Sequence, residues 1–268
     1  MKFLPKALFP VRNDDRKPWH IRIGDAAAPF RNSGRSLFQC QGFLRAAKGK
    51  IEGPDPEPVP AFSWEEPAEA PIKQTVLYNT HLQADAKLAP FAGWEMPIRY
   101  TTSVQEEHLA VRQAAGLFDV SHMGLFEFSG ENVHLFLNTI TSNDISALDE
   151  GQAHYSYLLD HRGRVLDDVY VYRLGRERYW MVVNAANTEK DWAWVNAVHR
   201  GEAMIDPERP WSRALGTESV VIRDMRDPAQ GGDMRVQLAL QGPRARDVLL
   251  AMMDDAASPN EPADPLRE

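Results

Sequence analysis

A single cysteine, Cys40, stands among 268 residues, so no internal disulfide can form and a disulfide scaffold is excluded. No run approaches the roughly 20 consecutive apolar residues that span a bilayer, so no membrane partner is expected. The opening MKFLPKALFPVRNDD is charged but lacks a long apolar stretch and a small-residue cleavage site, which argues against a secretory signal. A soluble cytoplasmic protein is the expectation. The eight histidines are scattered, no H-E-x-x-H occurs and one cysteine cannot build a thiolate cluster, so no metal site is expected. His108 beside Glu106 and Glu107 reads as a solvated helix face. Also missing are G-x-S-x-G, the Walker A pattern and G-x-G-x-x-G, which leaves a hydrolase elbow, a P-loop and a dinucleotide fold without support.

Positive charge is scarce where the body of the chain lies. The net charge of -8 divides unevenly: residues 1–50 hold 11 Lys and Arg against 3 Asp and Glu, residues 51–74 hold 1 against 6, and the remainder 18 against 29. A phosphate-backbone binder draws its affinity from Lys and Arg that displace counterions, so the acidic body is not expected to bind nucleic acid. Hydrophobic residues at 43% and charged residues at 25% match a globular composition and exclude disorder of the whole chain.

Ten of the 19 prolines fall in the first 74 residues, six of them in IEGPDPEPVPAFSWEEPAEAPIKQ. Proline removes backbone donors and fixes φ, so this stretch is predicted to be an extended linker that stays off the core. The organisation expected is therefore a poorly ordered extension over 1–74, basic and then acidic, a folded domain over 75–253, and a disordered tail over 254–268. The Arg-rich start also suggests a mitochondrial targeting peptide and hence the matrix as the alternative location, with Asp14, Asp15 and Asp25 against it.

Within the body, Ser103 and Glu106 form a capping-box pattern, predicting a helix from about 104 to 115 with Gly116 ending it. LFDVSHMGLFEFSG reads as a strand pair and NVHLFLNTIT as a helix. YSYLLD, VLDDVYVYRL and YWMVVNAA are apolar, aromatic and β-branched runs separated by short turns with glycine, the pattern of an antiparallel meander. Asn187 is placed to cap a helix running to about His199, with Glu189 and Asp191 in its first turn. SVVIRDM and RVQLALQG read as another strand pair, and Pro243 as the start of a last helix through about Met253. The fold class expected is α+β, an antiparallel meander with packed helices.

Side chains alternate along a strand, so Asp168, Tyr170 and Tyr172 share one face and Asp167, Val169 and Val171 the other. Asp168 thus lies in an aromatic row, where a carboxylate can hold a hydrogen-bonding partner. The plain alternative is a pair of solvated acids near a turn. On the next strand Trp180, Val182 and Asn184 share a face, bringing an amide within reach of the same pocket, although asparagine at a strand end is also a common turn former. Tyr155, Tyr157 and Met123 read without context as core or core-edge residues.

LYNTHLQADAKLAPFAGWEMPIRY, EEHLAVRQAAGLFDVSHMG, LDDVYVYRL and VVNAANTEKD, in this order and spacing, closely resemble the aminomethyltransferase (T protein) family of the glycine cleavage system. The likeness covers about residues 76–253, the first half of a typical member; the family's later motifs R-T-G-Y-T-G-E and G-L-G-A-R-D lie beyond it, and a folate site open on one side is expected. The resemblance implies the family's N-terminal folate-binding fold. It also implies transfer of a one-carbon unit from an aminomethyl group on the lipoylated H protein to tetrahydrofolate, with release of ammonia and formation of 5,10-methylenetetrahydrofolate. Tetrahydrofolate is then the co-substrate and the H protein the partner. By resemblance Asp168 matches the catalytic acid at the reacting nitrogen, and Met123, Tyr155, Tyr172, Val182 and Asn184 match positions lining the folate pocket. Lys190 and Asp191, in a matching motif, read as helix-start residues. Arg164 departs from the family, which usually has a second glycine after Gly163. Two alternatives stand beside this reading: a tetrahydrofolate-dependent demethylase of the same superfamily, and a fragment that binds folate or the H protein without catalysis.

Overall fold

In a computed structural model the described residues are 57–66 and 70–256. The basic segment and residues 257–268 lie outside them. The described part is α+β, with antiparallel pairing in all but one strand contact.

The meander forms as its local pattern dictates. Strands β6 (Ala153–Leu159), β7 (Val165–Gly175) and β8 (Arg178–Val183) pair antiparallel in sequence order, and β5 (Gly124–Ser129) and β9 (Val221–Asp224) extend them into a five-stranded sheet ordered β6-β7-β8-β5-β9. Helices α3 (Val133–Ile140) and α4 (Thr188–His199) cover one face. Into that layer β5 sends Phe126 and Phe128, β7 Val169 and Val171, β8 Tyr179, Met181 and Val183, and the helices answer with Phe136, Leu137, Trp194, Val195 and Val198. Burying such side chains is worth roughly 1.5–3 kcal/mol each and fixes the register, because a slip of one residue would turn every inward side chain outward. Gly124 is where β5 runs hardest against its neighbours: a Cβ there would stand 2.3 Å from Val183 Cγ2 and 3.0 Å from Thr188.

Two smaller sheets flank this one. β1 (Lys73–Gln74) runs parallel to β3 (Trp94–Arg99), which pairs antiparallel with β2 (Lys87–Phe91). β4 (Gly116–Asp119) pairs antiparallel with β10 (Leu238–Gln241). The small sheets are tied in through α1 (Tyr78–Gln83) by a polar cluster. Asp119 accepts from Thr75 Oγ1 (2.7 Å), Ser121 N (2.9 Å), Ser121 Oγ (2.5 Å) and His81 Nε2 (2.9 Å), while His81 Nδ1 meets the Tyr100 hydroxyl at 2.9 Å. Burial alone would raise Asp119, but these donors outweigh it and hold the carboxyl below its ordinary value. With Asp119 ionised, His81 Nε2 donates and Nδ1 accepts from Tyr100.

Several sequence expectations change. The two runs in LFDVSHMGLFEFSG are strands β4 and β5, but they belong to different sheets; likewise SVVIRDM and RVQLALQG supply β9 and β10, which pair with β5 and β4 and not with each other. The capping box is complete on both sides, and α2 spans Val104–Gln113, ending two residues before the predicted limit. Helix α5 spans Ala245–Ala256, beginning two residues after Pro243 and running past the expected boundary at 253. The proline-rich stretch does not stay off the core: Val59 is buried, its N–H donates to Pro210 O at 2.8 Å, Met204 N donates to Pro60 O at 2.8 Å, and Phe62 packs edge-on against Trp194 with centroids 5.1 Å apart. Two apolar residues, Val59 and Phe62, are enough to anchor an extended segment whose backbone also finds partners.

Candidate functional site

The second face of the five-stranded sheet is left without a covering helix among the described residues. Strand alternation in β7 is strict from Asp167 to Val171, buried and exposed by turns, and sets Asp168, Tyr170 and Tyr172 on this open face. Opposite them β6 presents Tyr157 and Tyr155, paired in register with Asp168 and Tyr170. From β8 come Val182, opposite Tyr170, and Trp180, opposite Tyr172.

The tyrosines form a continuous row. Ring centroids lie 5.3 Å apart for Tyr155 and Tyr157, 6.4 Å for Tyr155 and Tyr170, and 5.4 Å for Tyr170 and Tyr172, with tilted or edge-on planes. Tyr155, Tyr157 and Tyr170 remain 45%, 39% and 42% exposed, an aromatic patch of a kind that soluble proteins seldom leave bare without a ligand or partner. Its far end is braced by Glu127, which accepts from Trp180 Nε1 at 2.9 Å and from Arg178 Nε at 2.7 Å and also pairs with Arg223. Burial would raise Glu127, yet these donors keep its carboxyl below the usual range.

Asp168 sits at the edge of the row and is held from two sides. Tyr155 Oη donates to Asp168 Oδ2 at 3.0 Å, and Asn184 Nδ2 to Asp168 Oδ1 at 2.9 Å. Each carboxylate oxygen spends one acceptor site on the protein and keeps another for a donor arriving from the open side. Loss of solvation and then the Asp168 carboxylate push the Tyr155 phenol up, so it stays a donor at neutral pH. The Tyr172 phenol is likewise raised, by burial and then by Tyr170.

Of the six residues expected to share one site, the fold brings Asp168, Tyr155 and Asn184 into direct contact. Tyr172 and Val182 join them on the same face through Tyr170. Met123 is tied to none of the five by a described hydrogen bond. It immediately precedes β5, and its backbone is engaged by Val120 and by the Gln237 side chain. Arg164, the departure from the family turn, folds its guanidinium onto Asp160, with Nε donating to Oδ2 at 2.7 Å. Only Gly163 takes positive φ in that turn, so the arginine there is unstrained.

Sequence reasoning missed the layer behind Asp168. Asp167 is buried and accepts from Asn184 N (2.8 Å), Asn184 Nδ2 (2.9 Å) and Asn187 Nδ2 (2.5 Å). Asn187 therefore does not cap α4; its amide is diverted to Asp167, and its Oδ1 accepts from Lys190 Nζ at 2.8 Å. Lys190 also donates to Leu166 O at 2.9 Å, which makes it part of this support instead of a surface helix-start charge. Asp191 is fully buried. A signal was present: Asp191, Trp194, Val195 and Val198 fall at i, i+3, i+4 and i+7, the core stripe of an amphipathic helix.

Among the described residues no group of three or more His, Cys, Asp and Glu side chains is arranged to hold a metal ion, and no helix is long and apolar enough to cross a membrane.

Known proteins share this arrangement of elements and sequence. The family described as the GCVT N-terminal domain matches residues 77–263. The chain is 42% identical over 178 residues to an aminomethyltransferase of Symbiobacterium thermophilum, covering 66% of this chain and 42% of that protein. It is 43% identical over 183 residues to an aminomethyltransferase of Thermus thermophilus, covering 68% and 46%. Among solved structures, the glycine cleavage system aminomethyltransferase T from Bartonella henselae superposes with a TM-score of 0.55 at 36% identity, over 71% of this chain and 45% of that one. The chain thus spans a little under half the length of the relatives it matches.

Proposed function

The chain belongs to the GCVT N-terminal domain family, and on that premise we propose that it is the tetrahydrofolate-binding part of an aminomethyltransferase of the glycine cleavage system. The reaction is transfer of a one-carbon unit from an aminomethyl group on the lipoyl arm of the H protein to tetrahydrofolate, releasing ammonia and giving 5,10-methylenetetrahydrofolate. The observation that carries this reading is a carboxylate, Asp168, oriented by two donors at the edge of an exposed aromatic row.

The residues suit the group. A flat pterin needs aromatic and apolar walls with a few fixed polar atoms, and Tyr155, Tyr170, Tyr172 and Val182 supply walls on one face of one sheet. Tetrahydrofolate, when bound, supplies the nucleophilic nitrogen that takes up the carbon. Asp168 orients that nitrogen's N–H through its spare acceptor sites and stabilises positive charge developing there. Tyr155 and Asn184 keep the carboxylate from turning away, so little reorganisation is needed at the moment of reaction. The acid at this position favours aminomethyl transfer over the demethylase alternative, since methyl transfer from an activated donor needs no carboxylate there.

A titration with tetrahydrofolate, followed by an assay with lipoylated H protein carrying the aminomethyl group, tests the proposal. We expect wild type to bind and turn over, and Asp168→Asn to lose roughly 10²–10⁴-fold in turnover, the span of a lost general acid-base or electrostatic group, while keeping its circular dichroism spectrum. Absence of tetrahydrofolate binding, or equal turnover by the variant, would refute it. Binding by wild type without turnover would assign the chain to a non-catalytic folate-binding role.

A further inference from the structure

Behind Asp168 lies a buried pair of carboxyls, Asp167 and Asp191. Asp191, from α4, is fully buried, and neither of its oxygens accepts a hydrogen bond. It lies against Asp167 of β7, itself only 3% exposed. Two buried carboxylates in contact cannot both be ionised. Asp167 is the one whose oxygens both receive N–H donors, two from Asn184 and one from Asn187, so it carries the charge. Among the described residues, the other charged groups facing the pair are Lys190, whose ammonium is spent on Leu166 O and Asn187 Oδ1, and Asp168, reached through the Asn184 amide.

We propose that Asp191 is held as a neutral carboxylic acid donating its proton to Asp167, and that this pair is the positioning device for Asp168. The Asn184 side-chain nitrogen is the link: it donates to Asp167 Oδ1 and to Asp168 Oδ1, each at 2.9 Å. An amide nitrogen carries two hydrogens: one goes to Asp167 Oδ1, and the other is shared between Asp168 Oδ1 and the Asp168 backbone O at 3.1 Å. Asp167 thus sets the plane of the amide, and the amide sets Asp168. Ionising Asp191 would repel Asp167 and compete for the same donors, loosening Asn184. Burial first, and then the neighbouring Asp167, push the Asp191 carboxyl up to about 9, with Lys190 opposing. The acid is therefore neutral at neutral pH. This inference rests on the reading that Asp168 meets the folate, but the device itself is present in the protein without ligand.

The test has two arms. In the first, carboxyl ¹³C spectra of ligand-free protein are followed with pH, and the Asn184 side-chain amide is followed by ¹H–¹⁵N correlation. We expect one aspartate carboxyl to stay protonated through pH 6–8 and to vanish in Asp191→Asn. The Asn184 amide should move in Asp191→Leu and return to its wild-type position in Asp191→Asn, whose own amide can still donate to Asp167. In the second arm, tetrahydrofolate affinity should fall about tenfold in Asp191→Leu, the scale of one charge-assisted hydrogen bond lost from the orienting set, and be rescued by Asp191→Asn. Urea midpoints for both variants separate a general loss of folding from the specific shift. An Asp191 carboxyl titrating in the ordinary acid range, or an Asn184 amide unmoved in Asp191→Leu, overturns the inference. If wild type binds no tetrahydrofolate while the first arm behaves as stated, the folate reading fails and the positioning pair stands.

Discussion

From about pH 4 to about pH 9 the folded protein holds a proton at Asp191 that the unfolded chain has released, because burial and Asp167 push this carboxyl from 3.8 up to about 9. The linkage has a definite sign. The contribution of this group is fully present below its unfolded value and is lost as pH rises through the folded one. One proton bound only by the folded state gives a slope of at most about 1.4 kcal/mol per pH unit, so stability should fall by up to roughly 3 kcal/mol between pH 6 and pH 8 from this group alone. His122 and His154, both held low by burial, act in the opposite sense as pH falls through the ordinary histidine range, and the depressed Asp119 and Glu127 act only in more acid solution. These contributions are common to wild type and Asp191→Asn, and the difference between the two proteins isolates Asp191. Urea unfolding of both at pH 6, 7 and 8 is the assay. Wild type should lose stability relative to the variant by up to roughly 3 kcal/mol over that range. Parallel pH profiles would show that Asp191 is ionised in the fold, and the reasoning would be wrong.

Other perturbations read different parts of the structure. His81→Ala removes the buried bridge between Asp119 and Tyr100 and should cost about 2–3 kcal/mol, seen as a lower urea midpoint; an unchanged midpoint would mean that the cluster does not tie α1 to β4. Gly124→Ala places a methyl 2.3 Å from Val183 Cγ2 and should destabilise by about 1–3 kcal/mol, which a thermal melt would reveal as a lower midpoint; an equal or higher one would show that β5 yields at no cost. Ser103→Ala breaks the capping box of α2 and should cost about 1 kcal/mol, visible as faster amide exchange confined to the first turn.

The amino-acid sequence by itself determined what depends on neighbours along the chain. Turn glycines and alternating runs specified the meander β6-β7-β8, and strand parity alone separated Asp168 from Asp167. The capping box located the start of α2 because its hydrogen bonds close within four residues. The tertiary structure decided partners and ionisation. β4 and β5 each carry a strand pattern, but an apolar run states that a strand will pair and not with which: β4 pairs with the distant β10, and β5 lies between β8 and β9. Asp191 at the start of a helix reads locally as an acid complementing the helix dipole. Only the packing of α4 against β7 brings it to Asp167, and there the loss of water and a like charge at contact distance change it from a surface anion to a buried acid.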